Sequence, residues 1–357
     1  MAPWDPPSPA VKLLASPLVF FLQPVYRLLS ALRAPPNTHA SSQCPVRVVC
    51  ISDTHTNRLS SVPEGDILIH AGDLTNAGTL DELQDAIDWL NTLPHKHKVV
   101  VAGNHDGWLD VQVRDKVVQT ALPTEGEEED EEEEQSLDWG DVHYLQNSSV
   151  MLSVSNATTS RTLMVHGIPQ IPQLEAHQTI HAFQYPPTVK SPWPNTVPPE
   201  TDILVSHSPP KYHADIFPNC LGCPHLLNAV WQVKPALHVF GHVHAGRGVE
   251  RVYYDGAQRA WERLLRRREE GGNLWERGNR SYFWWVFCRA SIFRDMISVF
   301  GAWRDVSIVL WSSMKAVLWT RVWGGRGALG LEGWMVNPAC MDSKGKSLVG
   351  NGTVIDI

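Results

Sequence analysis

The segment Val46-Arg-Val-Val-Cys-Ile-Ser-Asp53-Thr-His55 decides how this chain is interpreted. Its apolar, mostly β-branched residues predict a buried strand, and Asp53 and His55 follow at the carboxyl end of that strand. Open α/β sheets bind their ligands at this end of the strands. Because the two residues are two positions apart on an extended segment, both side chains can point to the same side and reach one cation. An isolated pair of this kind is usually only a polar turn, so the interpretation depends on the rest of the chain.

The same arrangement recurs four times downstream. Each time, an apolar, strand-like run ends in residues that bind metal ions in proteins: Asp66-Ile-Leu-Ile-His-Ala-Gly-Asp73, Lys98-Val-Val-Val-Ala-Gly-Asn104-His105-Asp106, Asp202-Ile-Leu-Val-Ser-His207 and Leu237-His-Val-Phe-Gly-His242-Val-His244. Five predicted strands therefore deliver carboxylate, amide and imidazole groups to one region of the fold. Between them, Leu80 to Leu93 and His225 to Val233 are predicted helices, and the first has an apolar face that would lie on the sheet.

Length and composition fit a globular protein. With 357 residues, 43% of them hydrophobic and 19% charged, the chain can bury a large core. Much of the net charge of −8 comes from the acidic run at 125–134, whose self-repulsion predicts a solvated, disordered loop. No basic stripe in the sequence marks a nucleic-acid-binding surface. We predict a partly apolar N-terminal arm over residues 1–44 and a domain over 45–357, with insertions at about 123–137 and about 258–333.

The cysteines indicate a reducing compartment. Six of them are spread over the chain in no pattern of a disulfide framework, which favours a cytoplasmic location. Cys220 and Cys223 have the spacing of a zinc knuckle, but the sequence has no second pair, so we interpret them as incidental thiols. The apolar run from Val11 to Leu32 is interrupted by Pro17 and Pro24, which indicates a packing arm or a weak membrane contact rather than a membrane span.

The second insertion separates the two strands of a predicted hairpin. Gly248 to Tyr254 is a predicted strand, and its first good partner along the chain is Met335-Val-Asn337. Within the insertion, Trp261 to Glu270 is predicted to be helical, whereas residues 282–323 combine tryptophan-rich apolar runs with recurring arginines. Such a segment suits a membrane interface. It equally suits a pair of helices packed on the domain or on a second subunit, and the sequence leaves both alternatives open.

Taken in order, the five motifs resemble those of the calcineurin-like metallophosphoesterases: Asp-x-His, Gly-Asp, Gly-Asn-His-Asp, a strand-ending His and Gly-His-x-His. Within that superfamily, Ser206 to Pro210, Leu237 to His244 and the tail from Val336 to Ile357 are similar to the MPPED (metallophosphoesterase-domain-containing) group. The resemblance covers nearly all of residues 45–254 and then the tail. It implies a four-layer α/β/β/α sandwich, an α/β fold that holds two divalent metal ions.

The resemblance also implies which residues hold these ions. It assigns Asp53, His55 and His244 to one ion, Asn104, His207 and His242 to the other, and Asp73 to both. A mixed set of nitrogen and oxygen ligands suits Mn²⁺, Fe or Zn²⁺. Two such ions would clamp a phosphoryl group and acidify a bridging water to hydroxide.

Two residues beside the predicted ligands are expected to be catalytic. We predict His105 as the general acid and Asp106 as the group that orients the ring of His105, although Asp106 stands where the family commonly has a glutamate. Three further histidines are predicted to be structural or to support the ligands rather than bind metal. These are His166, the rival of His207 as the strand-ending ligand, His70 and His238.

The expected activity is hydrolysis of phosphoesters, and the resemblance to the MPPED group favours phosphodiesters such as cyclic nucleotides. A phosphomonoesterase acting on proteins or small molecules is the alternative within enzymes. A nucleotide-binding protein of the same fold with little activity is the alternative outside them. Because none of the expected ligands is missing from the sequence, the enzymatic interpretation is favoured.

Overall fold

The computed structural model describes residues 7–33, 44–114, 136–156, 159–173, 181–186, 188–190, 192–193, 196–272, 299–323 and 332–357. The predicted disordered run at 125–134 lies outside these residues, as do residues 282–298 of the tryptophan-rich segment. After the ligand-bearing loop that follows Val101, Gly107–Leu109 forms a 3-10 turn and residues 111–114 are helical.

The described helices and strands follow one another in this order. The helices are α1 Pro9–Ala15, α2 Pro17–Leu32, α3 Leu80–Thr92, α4 Pro224–Val233, α5 Gly256–Gly272 and α6 Val299–Arg321. The strands are β1 Arg47–Ile51, β2 Ile67–Ala71, β3 His97–Val101, β4 Val142–Tyr144, β5 Ser148–Ser155, β6 Ser160–Ile168, β7 Ile171–Pro172, β8 Gln184–Tyr185, β9 Ile203–Ser206, β10 Leu237–Val239, β11 Gly248–Val252, β12 Gly333–Asn337 and β13 Thr353–Asp356.

Two mixed sheets form the centre of the fold. The first has the strand order β13-β1-β2-β3-β4, and only β13 runs antiparallel to its neighbour. The second has the order β11-β12-β10-β9-β6-β5, in which the four inner strands are parallel and both edge strands are antiparallel. Since β1, β2 and β3 are parallel, their carboxyl ends meet at one edge of the first sheet, and those of β9 and β10 meet at one edge of the second.

Alternating side chains of each inner strand pack on opposite sides. In β1, Val48 and Cys50 belong to the core between the two sheets, whereas Val49 and Ile51 pack toward α3. In the second sheet, Leu204 and its neighbours face α4 on the outer side. The layers of the described residues are therefore α3, first sheet, second sheet and α4. A strand buried on both faces reads as a continuous apolar run, which is why the sequence predicted β1 so clearly.

The predicted hairpin partner is confirmed. β11 and β12 pair antiparallel, with Val249 opposite Val336, so the chain between them is an insertion in this hairpin. The two described helices between these strands, α5 and α6, pack with α2, and Tyr212 and Cys220 of the domain belong to the same core. We call these three helices the helical layer. Its core contains Val19 and Leu22 of α2, Leu264 and Leu265 of α5, and Val306 and Val309 of α6.

The N-terminal helices begin at proline and serine positions. The Ser16 hydroxyl accepts a hydrogen bond from the N–H of Val19 (3.2 Å), and Pro17 occupies the first turn of α2, so the helix starts there rather than continuing α1. Pro24 lies inside α2 without ending it. No single described helix is long and apolar enough to cross a membrane; α1 and α2 meet the criteria of length and composition only as a pair bent by 113°.

A buried ion-pair network joins the helical layer to the second sheet. His213 is 5% exposed, with Nδ1 at 3.0 Å from Glu250 Oε2 of β11 and Nε2 at 3.0 Å from Glu262 Oε1 of α5. Because carboxylates only accept hydrogen bonds, both ring nitrogens carry protons and the ring is positively charged. Burial lowers the pKa of His213, but the two glutamates outweigh it and raise the pKa to about 10.

We expect the pH dependence of stability to report this network. The folded pKa of about 10 lies above the ordinary histidine value. Its stabilisation is therefore complete below about pH 6.5 and is lost as pH rises toward the folded pKa. A His213→Gln variant should lose about 3–5 kcal/mol of unfolding free energy at pH 6.5, because it leaves the buried Glu262 without its charged partner. Its deficit relative to the unaltered protein should shrink between pH 6.5 and pH 9.5 in urea denaturation.

The exposed His143 of β4 offers the control. His143→Gln should shift the free energy of unfolding little, and by the same amount at each pH. A deficit of His213→Gln that does not change with pH would contradict the charged network.

Candidate metal centre

The carboxyl ends of five strands meet between the two sheets and bring all seven predicted ligands together. Asp53, His55 and His244 form one group, and Asp73, His207 and His242 form a second. A third group consists of His55, Asp73 and His105, and within each group the candidate ligand atoms lie within 4.8 Å of one another. Asn104 joins the second group, with Oδ1 at 3.2 Å from His207 Nε2. The first two groups follow the division that the resemblance implies, whereas the third includes His105, which was not predicted as a ligand. That these residues bind metal stays a prediction.

The Asp73 carboxylate lies between the first two groups. Its Oδ2 is 3.4 Å from His207 Nε2 on one side and 3.7 Å from His55 Nε2 on the other. The other buried carboxylate makes the corresponding contact on its own side, because Asp53 Oδ1 is 3.3 Å from His244 Nε2. One carboxylate placed in this way can bind two cations at once.

The backbone turns sharply where the ligands leave their strands. Four of the candidate ligands have a backbone φ in the left-handed region, which residues other than glycine rarely adopt. The φ values are 53° at Asp53, 46° at His55, 54° at Asp73 and 66° at His242. Each such residue costs about 1–3 kcal/mol, and residues of this kind cluster at functional sites. Hydrogen bonds fix the turns: the N–H of Asp53 donates to Gly72 O (2.9 Å), and that of His242 donates to Asp53 Oδ1 (3.0 Å). The fold thus maintains strain in order to aim these side chains at the centre.

Glycines make room for the ligands. Gly72 has a φ of 94°, and a Cβ there would collide with the ring of His207. A Cβ at Gly241 would collide with the carboxylate of Asp53 and the hydroxyl of Ser52. The glycines that precede Asp73 and His242 in their motifs are therefore required by close approach between the two sheets.

The centre stabilises positive charge. Asp53 and Asp73 are 0% and 2% exposed. Burial raises the pKa of Asp53, but His244 and then His207 outweigh it and lower the pKa to about 2, while His207 holds the pKa of Asp73 well below its usual range. Conversely, Asp73 raises the pKa of His207 and Asp53 raises that of His244, each to about 9 and each against burial. Buried carboxylates that attract protons onto imidazoles offer the same compensation to divalent cations, so this donor set fits Mn²⁺, Fe or Zn²⁺.

Backbone carbonyls orient two of the imidazoles. His207 Nδ1 is 2.8 Å from Ala71 O, and His244 Nδ1 is 2.9 Å from Asp342 O. Because a carbonyl only accepts, Nδ1 carries the proton in both rings and Nε2 is left for the centre, which is the usual way proteins hold metal-binding histidines. Sequence reasoning missed both carbonyls, since a backbone atom leaves no signature in the residue type.

His105 lies beside the centre, but its partner is not the predicted one. Its ring centre is 4.8 Å from that of His55, and its Nδ1 is 2.8 Å from the carbonyl oxygen of Asn76. Its backbone N–H donates to Asp73 Oδ1 (2.9 Å). Nδ1 therefore donates to Asn76, and Nε2 is the ring atom left for a substrate. The prediction that Asp106 orients this ring is wrong.

Asp106 instead turns into its own loop. It is fully buried and accepts hydrogen bonds from the N–H of Gly103 (2.7 Å), from the N–H and hydroxyl of Thr75 (3.0 and 2.8 Å) and from the N–H of Leu74 (3.3 Å). Burial and then the Asp73 carboxylate raise its pKa to about 6, against these hydrogen bonds. The short aspartate side chain thus ties the loop after β2 to the loop after β3, and this use of its oxygens keeps it from His105.

The three histidines predicted to be structural lie outside the three candidate groups. Burial lowers the pKa of His166 and His70 to about 4 and that of His238 to about 3. Each binds a hydroxyl oxygen: His166 binds Ser149 Oγ at 2.8 Å, His70 binds Thr54 Oγ1 at 2.9 Å, and His238 binds Ser206 Oγ at 2.9 Å.

The sequence analysis missed one further histidine near the centre, His181. The ring centre of His181 is 5.9 Å from that of His105. Its neighbours hold it there, because the N–H of Ala182 donates to Asn104 O (3.2 Å) and the N–H of Phe183 donates to Asp110 Oδ2 (2.6 Å). His181 lies in a proline-rich stretch without strand or helix periodicity, so the sequence contained no signal that it would reach the site.

The chain is similar to known phosphoesterase domains. Metallophosphoesterase domain-containing protein 1 of Homo sapiens and of Mus musculus are each 35% identical to it over 215 residues, which cover 57% of this chain and 62% of each relative. A protein of Emericella nidulans named "Probable rhamnogalacturonate lyase C" is 40% identical over 243 residues, which cover 68% of this chain and 21% of that protein. The chain therefore spans less than two thirds of the length of these relatives.

The family comparison covers the part of the chain that builds the centre. The sequence model of the calcineurin-like phosphoesterases matches residues 46–246, from the strand before Asp53 to just beyond His244. This span includes all seven candidate ligands and both sheets' ligand-bearing strand ends. The chain belongs to the calcineurin-like phosphoesterase family.

Proposed function

We propose that this chain hydrolyses phosphoesters with two divalent metal ions, held by Asp53, His55, Asp73, Asn104, His207, His242 and His244. The observation that carries the proposal is the Asp73 carboxylate, buried within 3.4 Å of His207 Nε2 and 3.7 Å of His55 Nε2 and so shared by two groups of ligands. When bound, two such ions polarise phosphoryl oxygens and lower the pKa of water to near neutrality. Manganese is one of the metals that this donor set suits.

His105 is the proposed general acid. Its Nδ1–H donates to the Asn76 carbonyl, which fixes the ring and leaves Nε2 to donate a proton to the leaving-group oxygen. The backbone N–H of His105 donates a hydrogen bond to Asp73 Oδ1, which fixes the position of His105 relative to the shared carboxylate. His181 is exposed beside His105 and would contact the substrate on the same side.

Phosphodiesters such as cyclic nucleotides are the favoured substrates. The support for diesters is the resemblance to the MPPED group, because a proton from His105 would assist an alkoxide leaving group of a diester and of an alkyl monoester alike. A phosphomonoesterase with the same centre is the alternative, and a nucleotide-binding protein with little activity is the other. The name of the Emericella nidulans relative describes a protein of which the match covers 21%, so we do not extend a lyase reaction to this chain.

We also propose a cytoplasmic location, which rests on the scattered positions of the six cysteines in the sequence. The five cysteines among the described residues are free and buried, and Cys223 Sγ caps α4 and lies 2.9 Å from the Tyr185 hydroxyl.

A substrate panel tests the proposed function. The full chain, loaded with Mn²⁺, should hydrolyse cyclic nucleotides and bis-nitrophenyl phosphate faster than nitrophenyl phosphate, and chelation should abolish turnover. Faster turnover of the monoester would favour the phosphomonoesterase. Tight nucleotide binding without turnover under any of the three metals would favour the binding protein.

We expect Asp73→Asn to impair the centre more than His55→Ala. Asp73 contacts both groups of ligands, whereas His55 serves one. Loss of a residue that merely supports a ligand costs about 10–100-fold in metal affinity, so loss of the shared carboxylate should cost more than about 100-fold. Metal content by elemental analysis and turnover should fall together. Two bound metals and a near-normal rate in Asp73→Asn would refute the assignment.

His105→Ala should give a loss that depends on the leaving group. A general acid contributes about 10²–10⁴-fold, and mainly when the leaving oxygen is basic. Turnover of an alkyl phosphodiester should therefore fall far more than turnover of a nitrophenyl diester, with both metals still bound. The exposed His143→Ala should change neither rate. Equal losses for both esters, with chemistry rate-limiting, would mean that His105 contacts the phosphate without donating a proton, and loss of a metal would make it a ligand.

A further inference from the structure

Helix α6 is apolar on two opposite sides. Ala302, Val306 and Val309 are buried against α2 and α5. The opposite side carries large apolar side chains that are 40–66% exposed, at positions that follow the helical repeat: Trp303, Trp311, Met314, Leu318 and Val322. A surface helix of a globular domain ordinarily places polar residues on the side away from the core. The outer side of α6 is therefore built for a second contact.

Helix α2 adds a second exposed apolar stripe. Phe21, Val25, Leu28 and Leu32 are spaced by four, three and four residues, and are 41–66% exposed. The two helices pack together through the helical core, and at their carboxyl ends Arg321 Nε donates to Leu32 O (2.9 Å). We name the exposed apolar residues of these two helices, together with the exposed Arg304, Lys315 and Arg321 of α6, the α2–α6 face. Its apolar side chains are clustered rather than scattered, which marks an interaction surface.

The charges on this face have one sign. The exposed ionisable side chains of α2 and α6 are Arg27, Arg304, Lys315 and Arg321. The one acidic residue in these two helices is Asp305, which is 0% exposed and is held by Arg263 (2.9 Å) and Arg267 (3.2 Å) of α5. Because Asp305 is buried and the basic side chains are exposed, the face suits an anionic partner.

We propose that the α2–α6 face binds the surface of an anionic lipid bilayer. Tryptophan and the long cationic side chains are the residues that proteins place at the boundary between headgroups and acyl chains. Exposed Trp303 and Trp311 would lie at that boundary, while Arg304 and Lys315 contact lipid phosphates. No described single helix meets the criteria for a membrane span, so the helices would lie in the plane of the surface. This inference does not rest on the proposed phosphoesterase activity.

A second copy of the chain fits the face less well. In a symmetric dimer the same surface patch of each copy meets its counterpart. Arg304 and Lys315 would then face the cations of the partner copy, and α2 and α6 contain no exposed acid that could pair with them. Anionic lipid supplies the missing opposite charge.

The test is co-sedimentation of the full chain with vesicles of phosphatidylcholine, with and without about a third phosphatidylserine. We expect binding to the anionic vesicles, weakened by salt. Each cation near such a surface contributes about fivefold in affinity, so Arg304→Gln with Lys315→Gln should weaken binding about 25-fold. Phe21→Ser with Trp311→Ser should weaken it at least about tenfold by removing apolar area from the interface.

Matched controls remove exposed residues elsewhere. Met151→Ser on β5 removes an apolar side chain that is 57% exposed, and Lys96→Gln with Lys190→Gln removes two exposed cations. Both controls should bind like the unaltered chain, and all variants should keep its thermal unfolding midpoint. Absence of binding to anionic vesicles, or equal losses in the control variants, would overturn the proposal. So would a dimer, detected by light scattering, that Phe21→Ser with Trp311→Ser dissociates, because a second copy would then cover the face.

Discussion

The pairing of buried carboxylates with imidazoles across the two sheets is the interaction on which this structure depends. Asp53 and Asp73 follow strands of the first sheet, whereas His207 and His244 follow strands of the second. A buried carboxylate is stable only when positive charge or hydrogen-bond donors compensate it. The imidazoles that compensate these carboxylates come from the opposite sheet. The centre therefore links the two sheets at the edges where its ligands lie.

The rest of the site follows from that constraint. To bring oxygen and nitrogen atoms of two sheets within reach, the chain turns in the left-handed region directly after several strands, and it uses glycine where a Cβ would collide. Asp106 binds the two loops after β2 and β3 through four hydrogen bonds. A fully buried carboxylate with these partners resists movement of either loop, so it helps to hold the strained backbone at Asp73.

The helical layer packs directly on this scaffold, because Tyr212 and Cys220 belong to the core of the layer. His213 with its two glutamates links it to β11, and Arg33 at the end of α2 pairs with Asp255 (2.9 Å) before α5. These contacts lie on the inner side of the layer, whereas the α2–α6 face lies on the outer side. The layer can therefore take part in binding without altering the geometry of the centre, and changes on its outer face are separable from changes in the ligands.

The sequence by itself determined the ligand-bearing strands and the partner of β11. Strands buried on both faces read as continuous apolar runs, and ligands must follow at their carboxyl ends, so both features are local and visible in order along the chain. Only the tertiary structure decided the orientation of Asp106 and the position of His181 beside His105. It also decided which backbone carbonyls accept hydrogen bonds from His207 and His244. These depend on backbone atoms or on contacts between distant segments, as with His213, whose glutamates are 37 and 49 residues away. Residue type and periodicity do not encode such contacts, because packing of the whole chain selects them.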